Sequence, residues 1–148
     1  MNGIPQQAAI SFLLACELNG NDPWTLVSAS LGLAYCDDRE NARRIATLAL
    51  QTGLGVSRLQ WSYQAGVRFL LGDYAGCVEA AERAADSVSY IGGWKAAALA
   101  LLGNEKAAHE EADRFLAQLK TTWFGNESPE PGNVGTWLMD SFPIYSPD

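Results

Sequence analysis

The chain is poor in several residue types that chemistry depends on, and each shortage excludes something. It has one histidine in 148 residues. Any Ser–His or Cys–His pair, and any histidine-based metal site, must therefore run through His109. Its three cysteines, Cys16, Cys36 and Cys77, cannot all pair, and none stands in a Cys-x-x-Cys. That usage fits a reducing cytosol in which the thiols act as small hydrophobes, so a cytoplasmic location is expected. Basic residues are also few, 10 against 17 acidic, for a net charge of −7. Phosphate backbones and anionic lipid headgroups would be repelled, which argues against nucleic acid and membrane surfaces as partners. No apolar run approaches the length that spans a bilayer. "MNGIPQQAAISFLLACELNG" lacks a basic leader and a small-residue cleavage site, so no secretory signal is expected. No G-x-G-x-x-G or P-loop pattern occurs, and no nucleotide or other cofactor is expected. Valine and isoleucine are scarce, which turns the expectation away from sheet.

What is present is alanine, in a pattern. Apolar residues make up 48% and charged residues 18%, an ordinary globular balance in a chain of single-domain length. "LLGDYAGCVEAAERAAD" (70–86) returns as "LLGNEKAAHEEADRFLA" (101–117). Stepping back from Ala108 reaches Cys77, Ala42 and Ala8, in steps of 31, 35 and 34 residues. Ala112, Ala81, Ala46 and Phe12 follow these at four residues, then Phe115, Ala84, Ala49 and Ala15 at seven. Small residues at i, i+4 and i+7 mark one stripe of a helix that lets a neighbour come close. Between the stripes lie "PWTLVSASLGLAYC", "SRLQWSYQAGVRFLLG" and "SYIGGWKAAALALLG", aromatic near the start with a small residue midway (Ser30, Ala65, Ala96). Two end in Gly72-Asp73 or Gly103-Asn104, a helix stop followed by a helix start. Asp22-Pro23 opens the first with a cap and a first-turn proline.

The unit is helix, tight turn, helix, with a period near 34. The expectation is a half repeat at 5–19, full repeats at 23–53, 57–88 and 89–121, and a capping helix with a tail at 126–148. Ser128-Pro129-Glu130 is its expected start, Trp137, Leu138 and Phe142 its apolar face and Pro143 its stop. Neither helix of a pair buries its stripe alone, so the pairs must stack.

A unit of this length and column pattern resembles the tetratricopeptide repeat (TPR). Trp61, Ala65, Gly72-Asp73-Tyr74, Cys77, Ala81 and Ala84 carry the match in the clearest unit. Ala96, Leu99, Gly103, Glu105, Ala108 and Ala112 carry it in the next, and Ser30, Ala42, Ala46 and Ala49 in the first. The resemblance covers roughly residues 5 to 117. It implies an all-α, right-handed α-α superhelix of antiparallel helix pairs, closed by the capping helix. More narrowly, "WKAAALALLGNEKAAHEEADRFLAQL…WFGNESPEP…WLMDSFPI" resembles the C-terminal repeat region of bacterial signalling proteins that carry an N-terminal adenylate/guanylate cyclase domain. In that family the repeats form a regulatory or partner-binding arm. No cyclase metal site is legible here, and both ends look like cuts in a longer protein.

Candidate chemistry is thin. In "HEEAD", His109 and Asp113 share a helix face as metal ligands at i and i+4 would, with Glu110 in a general-base slot. The second ligand is not histidine, however, and the register sets His109 beside the Ala108 column, so a solvated charged face is expected. Cys77 falls in the small buried column and reads as an inert thiol. No catalytic constellation results, and the chain is not expected to be an enzyme. In the resembled family the first helix of each pair lines a groove. Counting along those helices places Trp24, Val27 and Leu31 there, then Leu59 and Ser62, then Tyr90. Lysine and asparagine, which would clamp an acidic peptide tail, are absent from these columns. An apolar or extended peptide or protein partner is expected. The alternative is a self-association or spacer module, using the flank that the half repeat leaves uncovered.

Overall fold

The computed structural model describes residues 3–53, 55–123 and 128–141. Among these residues there are eight α-helices and no strand: α1 (Gly3–Leu18), α2 (Pro23–Tyr35), α3 (Arg39–Gln51), α4 (Arg58–Leu70), α5 (Tyr74–Ala84), α6 (Ile91–Leu101), α7 (Glu105–Thr121) and α8 (Pro131–Ser141). No helix is long and apolar enough to cross a membrane.

Capping chemistry sets most of the boundaries. Asp22 accepts hydrogen bonds from the amides of Trp24 and Thr25 ahead of Pro23, and Ser57 and Gln60 form a reciprocal capping box. The turns joining α2 to α3, α4 to α5 and α6 to α7 are one structure written three times. In each, the last helical amide bond is followed by a residue in left-handed backbone: Asp37 at φ 61°, Gly72 at 79° and Gly103 at 79°. The next amide, of Asp38, Asp73 or Asn104, donates back across the turn to the carbonyl of Leu33, Arg68 or Leu99 at 2.9–3.0 Å. That same residue then caps the following helix through its side chain. This is a Schellman stop merged with an N-cap, and it needs only three residues. The first copy carries aspartate where the other two carry glycine, which hides it from a search for Gly-Asp or Gly-Asn.

Each helix from α1 to α7 packs against the next in the chain, and α2 also touches α4, which touches α6. The first helices of the pairs thus form one continuous row. The second helices, α3, α5 and α7, stand apart from each other above clefts. One cleft of about 490 Å³ lies between α3 and α5, and one of about 210 Å³ between α5 and α7. Arg39, at the start of α3, donates to the carbonyls of Leu70 and Leu71 at 3.0 and 2.7 Å, tying the first pair to the end of α4. A cation at a helix C-terminus is favourably placed against the orphan carbonyls.

The small-residue columns sit at helix contacts. Ala42, Cys77 and Ala108 are buried, and so are Ala46, Ala81, Ala49, Ala84 and Phe115. Ala8, Phe12 and Ala15 on α1 are half-buried, because α1 has a packed neighbour on one side only. Midway along the first helices, Ser30 and Ala65 are buried but Ala96 only partly. On α6 the fully buried alanine is Ala98.

Two boundaries differ from the sequence reading. α5 stops at Ala84 rather than reaching Val88, because Ala85 turns to φ 49°, and α6 begins at Ile91 with no side-chain cap. α8 begins at Pro131 rather than Ser128, whose carbonyl accepts from the Asn133 side chain at 2.9 Å. Val134 is buried against Phe115 and Leu119, and Trp137 meets Trp123 edge-on at 5.6 Å between ring centroids. Phe142, Pro143 and the 125/126 boundary lie outside the described residues, as does the Leu138 side chain.

Candidate binding face on the first helices

α2 carries no charged side chain, α4 carries only Arg58 and Arg68, and α6 only Lys95. No carboxylate stands on any of the three, although the chain has 17 acidic residues. Two of the three cations turn toward the second helices. Arg68 donates to the Gly76 carbonyl at 3.1 Å and lies 3.7 Å from Glu79, while Lys95 lies 3.7 Å from Glu82 and 3.4 Å from Glu111. The carboxylates of the helix pairs are thereby sorted by row. Seven stand on the second helices, where seven basic side chains balance them, and the first helices keep a face that is almost neutral.

That face is aromatic. Trp24 is 40% exposed and Leu59 38% exposed, both near helix starts, where a neighbouring helix covers least. Trp24 meets Tyr63 edge-on, with ring centroids 6.2 Å apart and planes at 87°. Tyr90 shares a hydrogen bond with the Ser62 hydroxyl, and Tyr35 and Tyr63 are its electrostatic neighbours. Burial, reinforced by the adjacent phenols, raises both Tyr35 and Tyr90 above the ordinary phenol value, so both stay neutral donors at physiological pH. Leu31 fills the space that Gly66 leaves open. A Cβ on Gly66 would stand 3.1 Å from the Leu31 side chain, so this glycine sets how closely α2 approaches α4.

The six residues expected to line a groove therefore divide. Trp24 and Leu59 are exposed, and Leu31 and Tyr90 are half-buried. Val27 and Ser62 do not line it: both are buried. Val27 belongs to the α1–α2–α3 core, and Ser62 turns its hydroxyl back to the Leu59 carbonyl at 2.6 Å. Sequence counting missed Tyr35 and Tyr63. Tyr35 sits four residues after Leu31 and Tyr63 four after Leu59, so the helical period that selected the leucines also held the signal for both.

The other lures resolve plainly. His109 and Asp113 lie on the exposed side of α7, and His109 Nδ1 is 2.7 Å from the Glu105 carbonyl oxygen. Among the described residues no group of three or more His, Cys, Asp or Glu side chains is arranged to hold a metal ion. All three cysteines are free thiols. Burial pushes the Cys77 thiol up to about 12, well away from the range of a nucleophile. Trp61 is half-buried, with the guanidinium groups of Arg68 and Arg83 at 5.8 and 4.7 Å from its ring centroid. Gln64, on the floor of the larger cleft, donates from its amide to the Ala46 carbonyl at 2.9 Å.

No family model, curated protein or solved structure matches this chain.

Proposed function

We propose that this chain is a protein-interaction module of the TPR kind: a right-handed stack of antiparallel helix pairs, with α8 as its terminal cap, that binds a partner peptide or domain on the face of α2, α4 and α6. The reading extends to its setting, the regulatory arm of a bacterial signalling protein working in the cytoplasm, where free thiols persist. The observation that carries it is the placement of carboxylates. An acidic chain keeps three adjoining helices free of them and furnishes their open side with Trp24, Leu59, Tyr63 and Tyr90. Tyrosine and tryptophan bring large contact area with few rotatable bonds, which suits recognition. The helix–turn–helix period, the threefold turn and the continuous row of first helices support the stack. The mechanism is apolar burial, worth about 25 cal/mol per Å² before ordering costs, with no covalent step. An acidic peptide tail fits poorly, since no free lysine cluster faces this side; an uncharged, extended partner fits better.

Selection from a displayed peptide library tests the proposal. Peptides recovered by the chain are expected to be uncharged and apolar. Replacing Trp24 and Tyr90 together by alanine is expected to weaken their binding by about a hundredfold, the loss of two anchors at ~1.4 kcal/mol each. The far-UV circular dichroism signal should be retained. Equal binding by the double variant would place the site elsewhere.

A further inference from the structure

We infer that the cleft between α3 and α5 receives an extended peptide segment with an acidic side chain. Its main chain donates to Gln64 on the floor, and its carboxylate meets Arg43 at the rim. The cleft shares no residue with the proposed binding face, and the inference does not rest on that face. Gln64 is only 2% exposed. Its amide nitrogen donates to the Ala46 carbonyl, but its Oε1 accepts nothing among the described residues. No fully buried side-chain oxygen among those residues lacks a partner, so Oε1 keeps its small exposure toward the cleft that Gln64 lines. A carboxamide this deep ordinarily has its acceptor filled. Here the acceptor is offered to a space of about 490 Å³, a size typical of ligand sites. Ala46, Leu50, Val67 and Leu71 give that space aliphatic walls.

The cleft between α5 and α7 is the contrast. One repeat on, Lys95 stands at the position of Gln64 and Glu82 at that of Thr47. Lys95 lies 3.7 Å from Glu82 and 3.4 Å from Glu111, so this smaller cleft of about 210 Å³ satisfies its own charges. The larger cleft does not. Its carboxylates are engaged: Asp73 accepts from the Gly76 amide at 2.9 Å, and Glu79 lies 3.7 Å from Arg68 and 2.9 Å from Arg83. Arg43 lines the same cleft, yet its guanidinium forms neither ion pair nor hydrogen bond among the described residues. The other two arginines of α3 are committed, Arg39 to the Leu70 and Leu71 carbonyls and Arg44 to Asn41. The occupant must therefore bring an anion for Arg43 and an N–H donor for Gln64. A peptide brings both. Arg43 is exposed at the rim while Gln64 lies on the floor, so the anion must stand a side chain's length from the main chain. That selects an internal aspartate or glutamate over a terminal carboxylate, held by a charge-assisted hydrogen bond.

NMR titration of the isotopically labelled whole chain tests this, with an acetylated and amidated pentapeptide of one central glutamate among valines and alanines as the probe. The side-chain amide of Gln64 and the Nε–H of Arg43 are expected to shift together and saturate. The Trp24→Ala, Tyr90→Ala double variant should bind the probe unchanged, which separates this cleft from the proposed face. Glutamine in place of the probe's glutamate is expected to weaken binding about tenfold, the size of one charge-assisted hydrogen bond, and so is Arg43→Ala. Arg43 is exposed, so the unbound spectrum away from the cleft should stay as it was. Thr47→Trp, from an exposed position on the α3 wall, should block the cleft. An all-apolar peptide with a free C-terminal carboxylate should bind no better than the glutamine probe. The absence of a saturable shift at Gln64 overturns the inference. So do equal affinities for the glutamate and glutamine probes, or shifts confined to Trp24 and Tyr90.

Discussion

The two ends of the helix stack solve the same problem in opposite ways. At the C-terminal end, Phe115 of α7 reaches back onto its own pair, where Gly92 and Gly93 clear a floor for its ring; a Cβ on either would stand 3.1–3.3 Å from Phe115. Its other side is closed by Val134 of α8 and by the Trp123–Trp137 contact. At the N-terminal end, Phe12 of α1 reaches forward onto α2 and its ring rests on bare Gly32, where a Cβ would run into the ring. Nothing among the described residues covers the outer side of α1. One phenylalanine is enclosed and the other leans on a single neighbour. The lesson is that a stack of alanine columns is knit internally by small residues, while its terminal helices are held by one aromatic each, and only one terminal aromatic is sealed.

Unequal truncation costs should expose that difference. Phe115→Ala is expected to lose about 3–5 kcal/mol, the usual cost for an enclosed phenylalanine, as read from urea unfolding. Phe12→Ala should lose nearer ~2 kcal/mol, because its ring is already partly exposed in the folded state. Equal losses would erase the contrast between the ends. Gly32→Ala should then cost about 1–3 kcal/mol by wedging α1 off α2, with protection lost first in α1 in amide hydrogen exchange.

Between the ends, the three repeated turns offer a finer comparison. Gly72→Ala places a Cβ in left-handed backbone and is expected to cost about 1–2 kcal/mol. Asp37→Gly, at the equivalent position, should run the other way and stabilise by up to ~1 kcal/mol, since aspartate already bears part of that strain. Its ion pair with Arg39 is long, at 3.9 Å, and half-exposed on both sides, so little is lost with it. A destabilised Asp37→Gly would show that the first turn is not the equal of the other two.

Cys77 gives the smallest and most specific effect. Its folded value is raised to about 12 from an ordinary 9.0, so above pH 9 the unfolded chain releases a proton that the folded chain keeps. Stability that is whole below pH 9 should therefore decline as pH rises toward 12, with Tyr35 and Tyr90 adding in the same direction. Cys77→Ala should flatten the thiol part of that decline, seen in unfolding midpoints across the alkaline range.

The helices were legible in the sequence because alanine at i, i+4 and i+7 is a helical signal that survives without homologues. The turns after α4 and α6 were legible because Gly72 and Gly103 announce the left-handed residue. The turn after α2 was not, since Asp37 adopts that conformation without the usual residue. The proposed face was half legible. Counting placed Trp24, Leu31, Leu59 and Tyr90 where the structure leaves them exposed or half-buried, but Val27 and Ser62 fell on the buried side. On a row packed by its neighbours on both flanks, the open strip is narrower than one face of the helical period. Tyr35 and Tyr63 were passed over because tyrosine near a helix middle or end reads first as packing. α8 began three residues late because the carbonyl of Glu130, not that of Ser128, accepts the first helical amide bond, from Val134, with Pro131 as the first helical residue.

The account rests on Ala42, Cys77 and Ala108 being equivalent buried contact points of successive pairs. Thiol labelling reads this directly, with Cys16→Ala and Cys36→Ser removing the background and Ala42→Cys or Ala108→Cys adding the probe. The account predicts that both new thiols react as slowly as Cys77 in the folded chain and quickly in denaturant. Rapid labelling at either position under native conditions would contradict it.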